Sequence, residues 1–331
     1  MLPAALGHNW LVLQILTVTF PFFALVLCGF TAARLRWLPL EAIGGLNGFV
    51  LFFALPCMLF RFGATTPIAE LLDVGVLCTW LLCATIMVTF AVAMSLGPRI
   101  RWNDASFGAL VAAFSNTGFM GVPLLVALLG AQAAGPIIVT ILVDMVFTTS
   151  LCIGLSRLDG AGQDGLLAAL RKSFKGMLVN PLPWSILLGG LVSYMEWELA
   201  DPWGKTIWLL ADAASPAALF TIGAVLARAQ MQARSQPLKV MDYLPVVGFK
   251  LFLHPLLVLV VGATVIQWGL PLATPAFTAM VLVAALPSAS NVSMLAERYG
   301  ANNGRIAQII LVTTTLAFLT FSGVVALVDG S

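Results

Sequence analysis

Long apolar stretches follow one another along this chain, separated by short polar turns. The hydrocarbon core of a bilayer is crossed by a helix of roughly 20 apolar residues. On that ruler the pattern predicts ten spans, at about 10–32, 40–61, 71–97, 105–129, 134–156, 181–197, 205–227, 243–268, 273–296 and 305–328, the sixth being short. No connection is long enough to form a separate domain. The longest, Arg157 to Asn180, holds Leu166-Leu167-Ala168-Ala169-Leu170-Arg171-Lys172-Ser173-Phe174-Lys175, whose spacing predicts a short amphipathic helix at the membrane interface. No Lys or Arg precedes the first apolar run, which continues for more than twenty residues, so it is expected to remain as a span rather than be cleaved as a signal peptide.

The apolar pattern repeats itself. Pro56-Cys57-Met58-Leu59-Phe60-Arg61-Phe62-Gly63-Ala64 in span 2 returns 160 residues later as Pro216-Ala217-Ala218-Leu219-Phe220-Thr221-Ile222-Gly223-Ala224 in span 7, and both read P-x-x-L-F-x-x-G-A. Five matches in nine apolar positions could arise by chance, but other matches follow in order. Leu110-Val111-Ala112-Ala113 in span 4 matches Leu282-Val283-Ala284-Ala285 in span 9, and Gly130-Ala131-Gln132 resembles Gly300-Ala301-Asn302. Gly135, Ile137 and Ile141-Leu142-Val143 match Gly304, Ile306 and Ile310-Leu311-Val312, so these later offsets run 172, 170 and 169. The repeat unit is therefore five spans. An odd number of crossings puts the second unit into the membrane from the opposite side, as an inverted repeat related by a pseudo-two-fold axis in the membrane plane. The expected organisation is a first five-helix repeat over 1–156, a linker over 157–180 and an inverted second repeat over 181–331.

Composition agrees: 60% of the residues are hydrophobic, 9% are charged and the mean hydropathy is +1.02, the profile of a polytopic membrane protein. Charge placement gives the orientation. The odd-numbered loops carry Arg34, Arg36, Arg99, Arg101, Arg157, Arg171, Lys172, Lys175, Arg228, Arg234, Lys239, Arg298 and Arg305, thirteen of the sixteen basic residues. By the positive-inside rule those loops are cytoplasmic and both termini lie outside. The five cysteines fall in apolar stretches without metal spacing and read as small apolar residues. No cofactor, metal or nucleic acid is expected; the bilayer is the first partner.

Two spans are interrupted by polar residues. Span 4 contains Phe114-Ser115-Asn116-Thr117-Gly118-Phe119-Met120-Gly121-Val122-Pro123, and span 9 contains Leu286-Pro287-Ser288-Ala289-Ser290-Asn291-Val292-Ser293 at the matching place. Proline removes a backbone donor and clashes with the preceding turn, so Pro123 and Pro287, with Gly121, are expected to break these helices. Unwound backbone at membrane depth is tolerated where it is buried in protein or lines a wet cavity. Each break exposes a helix N-terminus that favours anions. Asn116, Thr117, Gly118, Pro287, Ser288, Ser290 and Asn291 are the candidate substrate-binding residues. A single kink is usually only packing, and that reading is preferred for Pro56 and Pro255.

Asp144 in span 5 and Lys250 and His254 in span 8 are candidates for ion or proton coupling, because an ionisable group at that depth costs about 2.5–3.5 kcal/mol to insert. Lys250 and His254, four apart, share a helix face; they form a titrating pair or His254 is neutral. Asp144 is the charge partner available to Lys250, either as a structural ion pair or in proton coupling. Lys250 could also snorkel to the cytoplasmic face, and His254 could bond a carbonyl freed by Pro255. Asp212 is expected near the outer surface, solvated.

Asn116-Thr117-Gly118-Phe119-Met120-Gly121-Val122-Pro123-Leu124-Leu125, Asn180-Pro181, Pro216 with Leu219-Phe220 and Gly223, Lys250 with His254-Pro255, and Ala285-Leu286-Pro287 resemble the auxin efflux carrier family, and within it the bacterial malonate-transporter-like branch. The resemblance implies an all-α polytopic membrane protein with ten transmembrane helices as a 5+5 inverted repeat and with broken, crossing helices 4 and 9. It implies a scaffold of spans 1, 2, 6 and 7, an elevator-type transport unit of the other six, often a homodimer, and organic anions as substrates. Asn116 matches the family's crossover asparagine and Pro287 its crossover proline. The long central loop of the plant carriers is absent, and of their Asp and Lys pair in helix 3 only Asp73 near the span's start has a counterpart, with Leu77 four on. The expected function is a secondary transporter of small carboxylates, malonate-like dicarboxylates first, acting as antiporter or symporter in a bacterial inner membrane and coupled to H+. The rival within the fold is a sodium-coupled organic-anion symporter of the bile-acid-transporter type. An intramembrane hydrolase would need a paired-Asp, Ser-His or metal constellation that two histidines (His8 and His254) and no H-E-x-x-H do not supply.

Overall fold

The computed structural model describes residues 5–65, 73–158, 181–197, 199–233 and 238–329. The interfacial helix expected over 166–175, and Asn180, lie outside the described residues. The described chain is helical: α1 (Ala5–Arg34), α2 (Ala42–Thr65), α3 (Val74–Ser95), α4 (Trp102–Ala113), α5 (Val122–Leu129), α6 (Ala134–Ser156), α7 (Pro181–Tyr194), α8 (Asp201–Ala233), α9 (Val240–Gln267), α10 (Thr274–Ala285), α11 (Asn291–Arg298) and α12 (Asn303–Asp329). Among the described residues six helices are long and apolar enough to cross a membrane, namely α2, α3, α6, α8, α9 and α12. Shorter apolar helices cover Phe20–Arg34, Trp184–Tyr194 and Thr274–Ala285. The protein is a polytopic membrane protein.

Local chemistry sets several boundaries. Asp73 caps α3 by accepting from the Val76 N–H at 3.0 Å. Gly130 and Gly300, the first residues of the matched Gly-Ala-Gln and Gly-Ala-Asn triplets, follow α5 and α11 with φ of 86° and 68°. That left-handed backbone favours glycine, which has no Cβ to clash. Pro56 and Pro255 are absorbed without a break: each is preceded by one π-helical turn, over Val50–Ala54 in α2 and Phe249–Leu253 in α9. A third π turn, Asp144–Thr148, lies inside α6. Such turns re-aim side chains and recur at functional sites.

The helices pack in two groups. In one, α1 lies along α8, α2 lies along α7, and α2 and α8 meet. In the other, α3, α4, α6, α9 and α10 pack on one another, and α12 touches both groups. The echoed motif sits inside the first group, and its glycines explain why. A Cβ on Gly63 would collide with the backbone of α7 at Ile186 and Gly190, and one on Gly189 would collide with the Phe60 carbonyl. A Cβ on Gly223 would collide with the Val26 carbonyl, and one on Gly29 with the Phe220 carbonyl. Helix pairs approach this closely only where small residues face each other. Gly223→Ala is expected to cost about 1–3 kcal/mol, as overpacking does, and to lower the melting temperature in detergent; Gly248→Ala, with nothing near its Cβ, serves as the control. Equal melting of the two variants would remove close packing as the role of the motif.

A second anchor ties the other group together at one end. Arg305, 3% exposed, donates to the carbonyls of Asp104 on α4 (2.7 Å) and Asp242 on α9 (2.6 Å), while the Asp104 carboxylate accepts from the Asn302 N–H at 2.7 Å. Asp212 is exposed and pairs with Arg61 at 2.6 Å.

Candidate functional site

The two polar interruptions meet. Helix α4 ends at Ala113 and α10 at Ala285, and the chain beyond each is extended: Phe114 has φ −79° and ψ 108°, Leu286 φ −62° and ψ 155°. Ser115 and Ser288 form an antiparallel bridge. The Asn116 N–H donates to the Pro287 carbonyl at 2.8 Å, and the Ala289 N–H donates to the Phe114 carbonyl at 3.0 Å. Each broken strand thus supplies the backbone partners that the other lost on leaving its helix, which is how buried unwound backbone is satisfied. Span 4 does not break at its proline. The break lies at 114–116, and Pro123 lies beyond it, in the helical run that starts with the Thr117–Gly121 π turn and continues as α5. Gly121 ends the π turn Thr117–Gly121, and a Cβ there would press on the Leu286 side chain, so it permits the crossing rather than making the break.

On one side of the crossing lies a small, partly open cavity, lined by Asn116, Gly118 and Asn291, with Ser115, Phe119 and Met145 among its other walls. Leu51, Leu55 and Leu59 of α2 close it, so it lies between the two helix groups. Asn116 and Asn291 each keep a side-chain oxygen without a protein partner. Thr117 is turned away, fully buried, with its hydroxyl on the Ser115 carbonyl at 3.3 Å. Ser288 is also buried; its N–H donates to the Thr313 hydroxyl at 3.3 Å and its own hydroxyl oxygen has no partner. Ser290 and Asn291 line a small adjoining hollow, also partly open, with Asn47, Arg228 and Glu297. Phe119 and Asn291 border both spaces.

The ionisable candidates gather behind the crossing. Lys250, Asp144 and His254 are each at most 1% exposed, which removes the snorkelling alternative for Lys250. The Lys250 ammonium donates to the Ser115 hydroxyl at 2.6 Å and the Ala284 carbonyl at 3.1 Å, and lies 2.9 Å from His254 Nδ1. His254 thus meets Lys250 through Nδ1, and its ring lies 5.5 Å from that of Trp80. Asp144 accepts from the Trp80 indole N–H at 3.0 Å and from the Thr148 hydroxyl at 3.1 Å, both on Oδ1, and Oδ2 has no hydrogen-bond partner. Asp144 and Lys250 interact electrostatically without sharing a hydrogen bond. Helices α6 and α9 are thus joined through charge, not through a direct ion pair.

Sequence reasoning missed four participants. Ser115, Trp80, Thr148 and Thr313 are ordinary residues of apolar spans, and only the three-dimensional arrangement gives them partners. Ser115 had a faint signal, since it adjoins Asn116 in the interrupted stretch.

Residues 14–325 match a family described as "Membrane transport protein". The chain is 30% identical over 324 residues to a Rhizobium meliloti protein named "Putative malonate transporter", covering 95% of this chain and 96% of that protein. The chain belongs to the auxin efflux carrier family of membrane transport proteins. Within this family it is 25% identical over 284 residues to the Escherichia coli K12 protein "Uncharacterized transporter YfdV", with 84% and 86% of the two chains covered. It is also 21% identical over 272 residues to "Auxin efflux carrier component 8" of Arabidopsis thaliana, with 66% and 74% covered. The protein is a transporter and not an enzyme.

Proposed function

We propose that this protein is a secondary active transporter of small carboxylates, malonate-like dicarboxylates first among them, working by elevator-type alternating access. The observation that carries the reading is the cavity at the crossing, where Asn116 and Asn291 face a space closed by the apolar α2 wall. Amide groups and the amino-terminal ends of the helical runs that begin at Thr117 and Asn291 suit a carboxylate, because helix N-termini present free N–H groups and positive partial charge. The apolar wall suits a short carbon skeleton. The name of the Rhizobium relative supports malonate as the first substrate to try.

In this reading α1, α2, α7 and α8 are the scaffold, and the other helices carry the site past it. The glycine contacts support an inverted repeat behind this division: Gly29 with the Phe220 carbonyl and Gly189 with the Phe60 carbonyl are the same contact, with every residue shifted by 160. The repeats are 1–156 and 181–331, in a bacterial inner membrane with both termini outside, as a homodimer. Thr117, Gly118, Pro287, Ser288 and Ser290 shape the crossing around the two asparagines. Proton coupling falls to the buried group of Asp144, Lys250 and His254.

The test is saturable uptake into proteoliposomes. Labelled malonate and succinate are expected to enter and to compete with each other, with an imposed pH gradient raising accumulation. A preparation that is folded and monodisperse yet moves no carboxylate would sink the proposal.

A further inference from the structure

Behind the crossing the helix poles have the opposite sign to those at the cavity. Helices α4 and α10 both end there, and a helix C-terminus carries unpaired carbonyls and about half a negative charge. The Ala284 carbonyl belongs to the last turn of α10, and Ser115 lies two residues beyond the end of α4. A carbonyl oxygen, a hydroxyl oxygen and a neighbouring carboxylate make the oxygen-rich setting that a small hard cation takes. A cation is already there, and it belongs to the chain.

We propose that the Lys250 ammonium is the built-in cation of this transporter, so that the crossing is held together without sodium and Asp144 is left as the group that exchanges a proton. An ammonium has three donors and no acceptor, and here all three point at acceptors: Ser115 Oγ, the Ala284 carbonyl and His254 Nδ1. His254 accepts through Nδ1, which makes it the neutral tautomer protonated on Nε2. It is a positioning residue for the ammonium rather than a second charge. Asp144, with Oδ2 free of hydrogen bonds and electrostatically tied to Lys250, is the countercharge. A sodium ion entering the same oxygens would stand against a fully buried ammonium that already occupies them. The same ammonium bridges the two repeats: Ser115 is in the first, and α9 and α10 are in the second. It therefore fixes the crossing on which Asn116 and Asn291 are mounted.

The proposal rests on the transport reading only where uptake is measured; the melting experiment needs no substrate. Wild type and Lys250→Met are melted in sodium chloride, lithium chloride and choline chloride at equal ionic strength. Wild type is expected to melt at one temperature in all three. Lys250→Met is expected to melt several degrees lower in choline and to recover part of the loss in sodium or lithium, which can occupy the vacated oxygens. Sodium-specific stabilisation of wild type would overturn the proposal. So would a Lys250→Met protein that melts like wild type, or one destabilised equally in every salt, which would leave Lys250 as a structural donor only. Should Lys250→Met not fold, the wild-type series still decides, and Ser115→Ala, which keeps the ammonium, is expected to remain indifferent to sodium. If wild type shows no response to sodium and Lys250→Met gains one while no carboxylate is transported, the cation assignment stands and the transport reading falls. If carboxylates are transported but only with sodium, the reverse holds.

Discussion

Asn116→Ala is expected to abolish measurable carboxylate uptake at low substrate concentration while leaving the protein folded. The backbone of Asn116 is what builds the crossing, through its N–H to the Pro287 carbonyl and its carbonyl to the Met120 and Gly121 N–H groups at 3.1 and 3.0 Å. Alanine keeps all of these. Only the side-chain amide is lost, from a residue lining the cavity with an oxygen that no protein group satisfies. A hydrogen bond to a charged group contributes about 1.5–3 kcal/mol, equivalent to about 10- to 140-fold in affinity at 1.4 kcal/mol per tenfold. Substrate concentration dependence in proteoliposomes measures this as a raised half-saturation, with melting temperature as the control for folding. Asn291→Ala is expected to act in the same direction but also to disturb the start of α11. An Asn116→Ala protein with wild-type concentration dependence for every carboxylate would move the substrate away from this cavity.

The broad organisation was legible because it is written in long-range patterns that a membrane imposes. The apolar runs locate the helices, and the motif shared by spans 2 and 7 marks the positions whose glycines, Gly63 and Gly223, turn out to be close-packed. The interruption in spans 4 and 9 was legible for the same reason: polar and glycine-rich sequence inside an apolar run has few uses other than a site. The exact position of the first break was not. Proline is the strongest local signal in the stretch, yet α4 ends ten residues before Pro123, because Pro287 and Phe114 carbonyls across the crossing take the backbone donors of Asn116 and Ala289. That partnership is non-local and no periodicity reports it. The same holds for the charges. Asp144 and Lys250 invited pairing, but the π turns in α6 and α9 re-aim both side chains, so that the carboxylate finds Trp80 and Thr148 and the ammonium finds Ser115 and Ala284. A π turn leaves no clear mark in sequence beyond the nearby Pro255 in α9, and none in α6.

Asp144→Asn is expected to uncouple transport from the pH gradient. The amide is nearly isosteric and can still accept from Trp80 and Thr148 on its oxygen, so packing is retained; what disappears is the negative charge and the ability to take up and release a proton. Lys250 then stands as a buried cation without its countercharge. Breaking a direct buried ion pair costs about 3–5 kcal/mol; the cost here is expected to be smaller, because Ser115, Ala284 and His254 still accept from the ammonium. The variant should therefore fold, melt somewhat below wild type, and exchange labelled for unlabelled carboxylate across the membrane. Net accumulation driven by an imposed pH gradient should fall to the level seen without one. Exchange needs only binding and the conformational step, whereas accumulation also needs the proton, so the two assays separate a lost coupling group from a damaged site. Loss of both together would make Asp144 a structural residue of the crossing, and retention of gradient-driven accumulation would assign the proton elsewhere. Asp144 and the cavity-wall residue Met145 are neighbours in the same π turn, so an effect of Asp144→Asn on half-saturation as well as on accumulation would place the two in one unit.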